Sequence, residues 1–393
     1  MSFGTSRKVR RHAGVQRGMT LIELMVSIVV GMVCVLVIMQ LLVAWAERKR
    51  TTAAGNDVQI SGALGSYALD RDIRQAGFGF GTADKDVMGC AVAASNSALS
   101  APVIDFNLVP VEITKGAGAD PDVIRVLYGN SAYFVSSQRF QASTDDTKTL
   151  KSREGFRVGD RAIVAGNTPM NCKLVEITGL ASTDALTLEH KAGVTYTNSA
   201  GVSATATFNS GSTGTGGTTF ATGQMFNLGP SPVLTVWAVN RTRGTLTRYN
   251  RLAQNPSSAE DVVADVVTLK AQYGYDTSGN GQIEGDEWVD VLPAGAQSIR
   301  ILALRFGLLM RSRQYERPHL AGGNAIPITT SAPKWAQGDQ AFAMTNVDAT
   351  ADMGSAGVNG AQATNNWRNY RYRVYDAVVP LKNMLWGTAG AAP

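Results

Sequence analysis

The chain has 393 residues, of which 44% are apolar, enough to form one large folded domain or two. Its formal charge of +5 comes entirely from the first 18 residues, which hold five basic side chains and no acidic one. The rest of the chain balances 31 Lys and Arg against 31 Asp and Glu. The composition therefore gives no sign of a direct nucleic-acid site.

An apolar segment, residues 19–43, follows the basic start, and its only ionisable side chains are Glu23 and Cys34. Its 25 residues, at a rise of about 1.5 Å each, exceed the roughly 30 Å hydrocarbon core of a membrane. The basic residues before it predict a cytoplasmic N-terminus. Residues beyond about 47 are then expected outside the inner membrane.

Glu23 is the unusual residue of this segment, because a carboxylate is costly within a bilayer and by default indicates a function there. A cleaved secretory signal would place its small-residue cut after the apolar stretch. Here the best cut, between Gly18 and Met19, lies before it. A plain membrane anchor explains the apolar run but gives no reason for Glu23.

Residues 17–23, RGMTLIE, resemble the class III leader of type IV pilins and type II secretion pseudopilins. The resemblance implies that residues 1–18 are a leader peptide, cut after Gly18 by a prepilin peptidase. It also implies methylation of the new amine on Met19 and pairing of Glu23 with the N-terminal amine of a neighbouring subunit. Met19 replaces the more usual Phe after the cut, as in minor subunits.

The helix is expected to continue beyond the membrane, because residues 44–76 contain no proline and show three- and four-residue apolar steps. The pattern predicts one amphipathic face over Ile60, Leu64, Tyr67, Leu69, Ile73 and Ala76. Gly77 supplies a stop, so residues 19–80 are assigned to the N-terminal helix. Residues 69–78, LDRDIRQAGF, resemble the helix end of PilW-type minor pilins, and energetically they are expected to form a solvated, charged terminus.

Residues 81–393 change to short β-rich runs separated by Gly, Asn, Asp and Ser, which predicts antiparallel sheet. Residues 201–223 and 350–366 are poor in core-forming side chains and are predicted to be flexible loops. Residues 307–312 and 371–384 also resemble PilW-type sequences. The expected fold is α+β and pilin-like, with a long N-terminal helix packed on an antiparallel sheet domain.

Cys90 and Cys172 fall in the part of the chain expected outside the membrane, where a disulfide can persist. They are the only two cysteines there, which favours a bond between them. Two buried free thiols are the alternative.

Residues 276–287, DTSGNGQIEGDE, place oxygen-bearing side chains at positions 1, 3, 5, 9 and 12 and a Gly at position 6. This spacing matches the twelve-residue calcium loop. The predicted ligands are Asp276, Ser278, Asn280, Gln282 (through its carbonyl), Glu284 and Glu287. The flanking runs look like strands rather than helices, so an Asx-rich hairpin turn is the alternative.

The sequence shows no nucleophile elbow, no phosphate loop and no histidine cluster, and it is therefore read as a non-enzyme. The resemblance implies a minor pilin whose partners are other minor pilins, major pilin subunits, the prepilin peptidase and an inner-membrane assembly platform. It would prime or cap a type IV pilus, which serves twitching motility, adhesion and DNA uptake. A bulky pseudopilin of type II secretion and a membrane-anchored, calcium-dependent adhesin are the alternatives.

Overall fold

The computed structural model describes residues 18–81, 87–99, 103–133, 136–167, 170–182, 184–209, 220–253, 258–293, 295–321, 324–347 and 366–388. Residues 1–17 of the predicted leader, 210–219 of the first predicted loop and 350–365 of the second lie outside the described residues. The chain divides into two compact units, residues 1–53 and residues 54–393.

Helix α1 (Leu21–Ile73) begins in the first unit and supplies residues 54–73 to the second. Its stretch Leu21–Val43, with a mean hydropathy of 2.9, is long and apolar enough to cross a membrane. The helix ends three residues before the predicted Ala76. Turns continue to residue 81, where Gly77 and Gly79 adopt positive φ values of 81° and 91° that favour glycine.

The described part of the second unit is rich in short strands, which are numbered here in chain order. The first thirteen are β1 (Ala91–Ser95), β2 (Val103–Asn107), β3 (Val111–Thr114), β4 (Val123–Tyr128), β5 (Gln138–Ser143), β6 (Thr147–Leu150), β7 (Arg161–Asn167), β8 (Met170–Glu176), β9 (Gly179–Leu180), β10 (Thr187–Glu189), β11 (Thr195–Thr197), β12 (Ser203–Thr205) and β13 (Gly223–Gly229). The others are β14 (Val233–Asn240), β15 (Thr245–Asn250), β16 (Glu260–Ala264), β17 (Val266–Tyr275), β18 (Trp288–Val289), β19 (Ile301–Arg311), β20 (His319–Ala321), β21 (Asn324–Ile326), β22 (Lys334–Trp335), β23 (Gln340–Ala341) and β24 (Tyr372–Pro380). A short helix, α2 (Lys382–Thr388), ends the described chain.

Three sheets dominate, with strand orders β2-β1-β8-β7-β13-β5-β6-β10-β9, β16-β15-β14-β4-β3 and β18-β17-β19-β24. Their pairings are antiparallel except for a short parallel contact between β1 and β8. The α+β, mostly antiparallel prediction is confirmed. The loop predicted over residues 201–223 is partly wrong, because Ser203–Thr205 pairs with Thr195–Thr197 as a hairpin.

Two hydrophobic cores lie on opposite faces of the nine-stranded sheet. Ile163 and Ala165 of β7 belong to the main core, to which helix α1 and the other two large sheets also contribute side chains. Their neighbours Ala162 and Val164 face a second core, because successive strand residues point to opposite faces. The second core is formed by Phe140, Leu150, Phe156, Ala162, Val164, Val175, Ile177, Leu188, Phe220 and Met225.

Within the second unit, one stripe of helix α1 is buried, and two glycines belong to it. Val58, Leu69 and Ile73 are at most 5% exposed. Gly62 and Gly65 lie between them at helical spacing, and both are buried. A methyl group added at Gly62 would overlap the ring of Tyr375, and one at Gly65 would lie 2.9 Å from Val263 Cγ2. The glycines therefore let the sheets approach the helix backbone.

The predicted helix face is wrong in its first half. Ile60, Leu64 and Tyr67 are 69%, 52% and 63% exposed, whereas Leu69, Ile73 and Ala76 are buried. The three exposed residues form a separate apolar stripe, because they lie on a different side of the helix from the buried residues. Periodicity revealed two apolar sets but could not show that only one of them faces the core.

Asp72, expected in a solvated helix end, is buried instead. Its carboxylate accepts hydrogen bonds from Trp237 Nε1 at 2.7 Å and from the Tyr128 hydroxyl at 2.9 Å. Burial, together with the charge of Asp72, raises the pKa of Tyr128 well above its ordinary value. The end of α1 is thereby joined to β14 and β4 by hydrogen bonds to a charged group, which are stronger than neutral ones.

Gly62→Ala should destabilise the protein although alanine is the better helix former. The methyl group must displace the Tyr375 ring, and overpacking of this kind costs about 1–3 kcal/mol. Gly55 has no atom within 4 Å of an added methyl group, so Gly55→Ala should instead raise stability by about 0.5–1 kcal/mol. Thermal unfolding of the full chain in detergent compares the two variants. A gain of stability in both would contradict the close approach at Gly62.

Candidate functional site

The start of α1 brings together the residues predicted at the leader junction. Gly18 and Met19 precede the helix, and Thr20 and Glu23 form a reciprocal capping pair. The Thr20 hydroxyl oxygen accepts from the Glu23 amide at 3.3 Å, and Glu23 Oε2 accepts from the Thr20 amide at 3.2 Å. This is a capping box, in which each side chain satisfies a backbone donor at the first turn of the helix.

The capping box gives Glu23 a second role beside the predicted pairing with a neighbour's amine. The Thr20 hydroxyl also donates to Glu23 Oε2 at 3.2 Å, which holds the carboxylate beside the second residue after the predicted cut. Sequence reasoning missed Thr20. The Thr-x-x-Glu spacing ahead of an apolar run was the available signal.

The loop predicted to bind calcium begins directly after β17, and its two end carboxylates are buried. Asp276 is 4% and Glu287 is 3% exposed. Asp276 accepts from the amides of Asn280 at 3.1 Å and Gly281 at 2.8 Å. Gly281, at loop position 6, has a φ of 78°, as the predicted sharp turn requires.

Glu287 is the hydrogen-bond centre at the other end of the loop. Its Oε1 accepts from the Thr277 amide and hydroxyl, both at 2.8 Å, and its Oε2 accepts from the Glu284 amide at 2.9 Å. These bonds favour the ionised form, and they lower the pKa of Glu287 to about 2. The loop thus holds its two buried carboxylates with its own hydrogen-bond donors.

The side chains of the remaining predicted ligands make fewer hydrogen bonds within the loop than those of Asp276 and Glu287. The Asn280 side chain accepts from the Gln282 amide at 2.8 Å and donates to Glu284 Oε1 at 3.2 Å, and the Ser278 hydroxyl donates to Asp276 at 3.1 Å. Among the residues that the structure describes, no three His, Cys, Asp or Glu side chains form a group that could hold a metal ion. Calcium binding by residues 276–287 stays a prediction, and the hairpin turn stays its alternative.

Cys90 and Cys172 form a disulfide, as predicted, with their Cα atoms 6.0 Å apart. Both residues are buried in the main core. The bond joins the segment before β1 to β8 across 82 residues of sequence, next to the short parallel pairing of Val92 with Cys172.

His190 is buried and lies beside the ammonium group of Lys148. Its Nε2 is 3.4 Å from Nζ of Lys148, which is also buried. Burial first, and then the charge of Lys148, lower the pKa of His190 to about 3, so this imidazole is neutral at physiological pH. The side chain of His319, the other histidine outside the leader, lies outside the described residues.

Comparison with known proteins gives two family matches. Residues 14–39 match the Prokaryotic N-terminal methylation motif. Residues 235–383, which run from within β14 to just beyond β24, match Type IV Pilus-assembly protein W. Neither the curated proteins nor the solved structures contain a match.

The leader motif and the apolar stretch Leu21–Val43 fit a pilin that is anchored in the inner membrane and then incorporated into a pilus. The match to Type IV Pilus-assembly protein W specifies the type of pilin. Together, the two family matches support a PilW-type minor pilin of the type IV pilus with a class III prepilin leader. This family is a structural component of pilus assembly.

Glu287→Gln should remove part of the acid dependence of stability. The pKa of Glu287 is lower in the folded protein than the ordinary value of 4.5. Its stabilising contribution is therefore complete above about pH 5 and is lost as the pH falls toward about 2. Denaturation at a series of pH values should show wild type more stable than the variant at neutral pH, with the two curves converging in acid.

Thr277→Val tests the cause of this pH dependence, because it removes one donor to Glu287. Its stability should begin to fall at a higher pH than that of wild type. A constant difference between wild type and Glu287→Gln at every pH would contradict the assignment.

A separate prediction concerns calcium binding by the loop Asp276–Glu287. If the loop binds the ion, calcium should raise the thermal stability of the full chain relative to chelator, by about 2.7 kcal/mol at a hundredfold excess over the dissociation constant. Glu284→Gln removes an exposed ligand that accepts one side-chain hydrogen bond, and it should weaken the calcium response without lowering stability in chelator. Identical melting of wild type in calcium, magnesium and chelator would leave only the hairpin turn.

Proposed function

We propose that this minor pilin joins a small complex of minor pilins that primes assembly of the pilus or caps the fibre. The observation that carries the proposal is the exposed stripe of Ile60, Leu64 and Tyr67 on α1. These are three large apolar side chains that no other described part of the second unit covers. Clustered apolar residues left exposed on a folded unit indicate a surface that packs against another protein.

The second core supports a place at an end of the fibre rather than along it. A subunit that repeats must make the same contacts with its copies at every step. Residues 136–229 add strands β5 to β13 and a separate hydrophobic core to the sheets that contact α1. A complex at the fibre tip would have to accommodate this addition only once. The shaft of the fibre would have to accommodate it in every subunit.

Prepilin processing is part of the proposal. The mature protein should begin at Met19 with a methylated amine, after a prepilin peptidase has cut behind Gly18. In the assembled complex, Glu23 pairs with the N-terminal amine of a neighbouring pilin, because a charge buried in the membrane is tolerable only when an opposite charge meets it. Other minor pilins, the major pilin and the inner-membrane assembly platform are the partners proposed.

Glu23→Gln separates charge pairing from helix capping. Glutamine serves in a capping box as glutamate does, so the first turn of the helix is retained while the charge is lost. We expect normal membrane insertion and a normal Met19 terminus. Incorporation into sheared fibres, measured by quantitative mass spectrometry, should fall by on the order of a hundredfold, because an amine left unpaired within the membrane is strongly destabilising.

Thr20→Ala is the matched control, since it removes the capping hydroxyl and keeps the charge. If Thr20→Ala abolishes incorporation while Glu23→Gln does not, the carboxylate acts through capping alone. An intact N-terminus at residue 1 in wild type would overturn the processing step itself.

Deletion of the whole protein distinguishes priming from the alternatives. Loss of surface fibres and of twitching, restored by wild type, is expected of a minor pilin that primes assembly. Loss of protein secretion with normal fibres would instead indicate a bulky pseudopilin. Normal fibres and normal secretion, with loss of calcium-dependent attachment only, would indicate a membrane-anchored adhesin.

A further inference from the structure

Six arginines gather at one end of the β18-β17-β19-β24 sheet. They are called the arginine cluster here and consist of Arg311, Arg313, Arg317, Arg368, Arg371 and Arg373. Strand β19 ends opposite the start of β24, where Arg311 pairs with Tyr372. Backbone hydrogen bonds from Ser312 to Arg371 and from Glu316 to Asn369, both 2.9 Å, hold the two arginine-bearing segments together.

The arginine cluster lies at the end of the sheet where helix α1 enters the second unit. Near the start of β24, the Tyr375 hydroxyl donates to the carbonyl of Gln59 at 2.9 Å. Just beyond its end, the Asn383 amide donates to the carbonyl of Ala76 at 3.0 Å. Strand and helix therefore run in the same direction, and the cluster lies beside the earliest residues of the helix in this unit.

The cluster has more positive charge than its surroundings neutralise. Arg313 pairs with Asp265, and Arg371 pairs with both carboxylate oxygens of Glu316. Asp57 adds a third carboxylate near Arg313. Arg317, Arg368 and Arg373 are exposed, and none of them is paired with a carboxylate of the described residues. Among the described residues, the ion pairs and the contact with Asp57 thus account for three carboxylates against six arginines, although the chain beyond the leader is balanced overall.

Aromatic rings accompany the arginines. Arg368 lies over the half-buried Trp367 ring at 5.2 Å, and Arg311 lies over the ring of Tyr370, which is itself buried, at 5.1 Å. Tyr315 contacts Tyr370 edge to face, with ring centroids 6.1 Å apart. Arginine forks match the oxygens of phosphate groups, and Trp and Tyr are enriched where proteins meet the headgroup region of a membrane.

The length of the connecting chain favours a lipid over other anions. Asp57 follows the end of the apolar stretch, Val43, by 14 residues. These residues reach about 21 Å as a helix and no more than about 50 Å when fully extended. While the protein is anchored, this end of the second unit is thus confined near the bilayer, where lipid phosphate is present at high local concentration.

We propose that the arginine cluster binds the phosphate groups of anionic phospholipids in the outer leaflet of the inner membrane. This contact holds residues 54–393 at the bilayer surface until the subunit enters the fibre. The inference rests on the membrane anchor and not on priming or capping, so it stands even if the place in the fibre proves different.

Hydrogen–deuterium exchange of the full chain in lipid nanodiscs tests the proposal. Nanodiscs of phosphatidylcholine alone are compared with nanodiscs that also contain phosphatidylglycerol. The anionic lipid should slow exchange of backbone amides in residues 311–317 and 366–373. At about 1 M salt the difference should disappear, because the Debye length falls to about 3 Å.

A triple variant with Arg317, Arg368 and Arg373 replaced by Gln should lose the protection, with the ratio of lipid-bound to free domain falling by on the order of a hundredfold. The matched control replaces Arg139, Lys151 and Lys382, three exposed cations outside this end of the sheet, by Gln and should keep it. Thermal unfolding checks that both variants fold. The salt response is measured on wild type, so it tests the proposal even if a variant fails to fold.

Three outcomes would overturn the proposal. Equal exchange in the two kinds of nanodisc would exclude a lipid site. Protection by a single-stranded oligonucleotide or by inorganic phosphate in phosphatidylcholine nanodiscs, without protection by phosphatidylglycerol, would indicate a soluble anion instead. Equal loss of protection in both triple variants would show only a general effect of net charge.

Discussion

The second unit depends on the packing of residues 54–73 of α1 against two sheets at close range. Gly62 and Gly65 allow that approach, and the buried Asp72 then fixes the end of the helix to Trp237 and Tyr128. Glycine lowers helix propensity, yet here the lost propensity is offset by contacts that a Cβ atom would prevent. The same helix can therefore leave a second apolar stripe, Ile60, Leu64 and Tyr67, for other subunits.

The loop Asp276–Glu287 and the arginine cluster lie at opposite ends of the sheet that lies along the helix. The loop Asp276–Glu287 follows β17 where that strand ends, whereas the arginine cluster lies where β17 begins and β19 ends. Because β17 and β19 are antiparallel, the sheet separates the acidic loop from the basic cluster by about the length of a ten-residue strand, roughly 33 Å. The two ends of this sheet therefore differ in charge, although the chain beyond the leader is balanced overall.

The sequence was sufficient for the features that depend on local pattern. The apolar segment and the strand-rich remainder follow from composition and periodicity, and the leader motif follows from the resemblance of residues 17–23 to class III leaders. The bond between Cys90 and Cys172 follows from their being the only cysteines expected outside the membrane. The burial of Asp72 did not follow, since its neighbours Arg71 and Arg74 are typical of a solvated helix end and its partner Trp237 is 165 residues away. The Asp276–Glu287 loop stays ambiguous because tight turns and calcium sites use the same side chains.

The hydrogen bonds at the two ends of β24 also determine how force applied to the helix is transmitted to the domain. Tyr375 holds Gln59, Asn383 holds Gln75 and Ala76, and the strand between them runs in the same direction as the helix. Tension along the helix axis would load these contacts in shear and simultaneously, whereas a domain fastened at one end would peel away bond by bond. The junction between the helix and the domain would therefore be loaded at both ends of β24 at once.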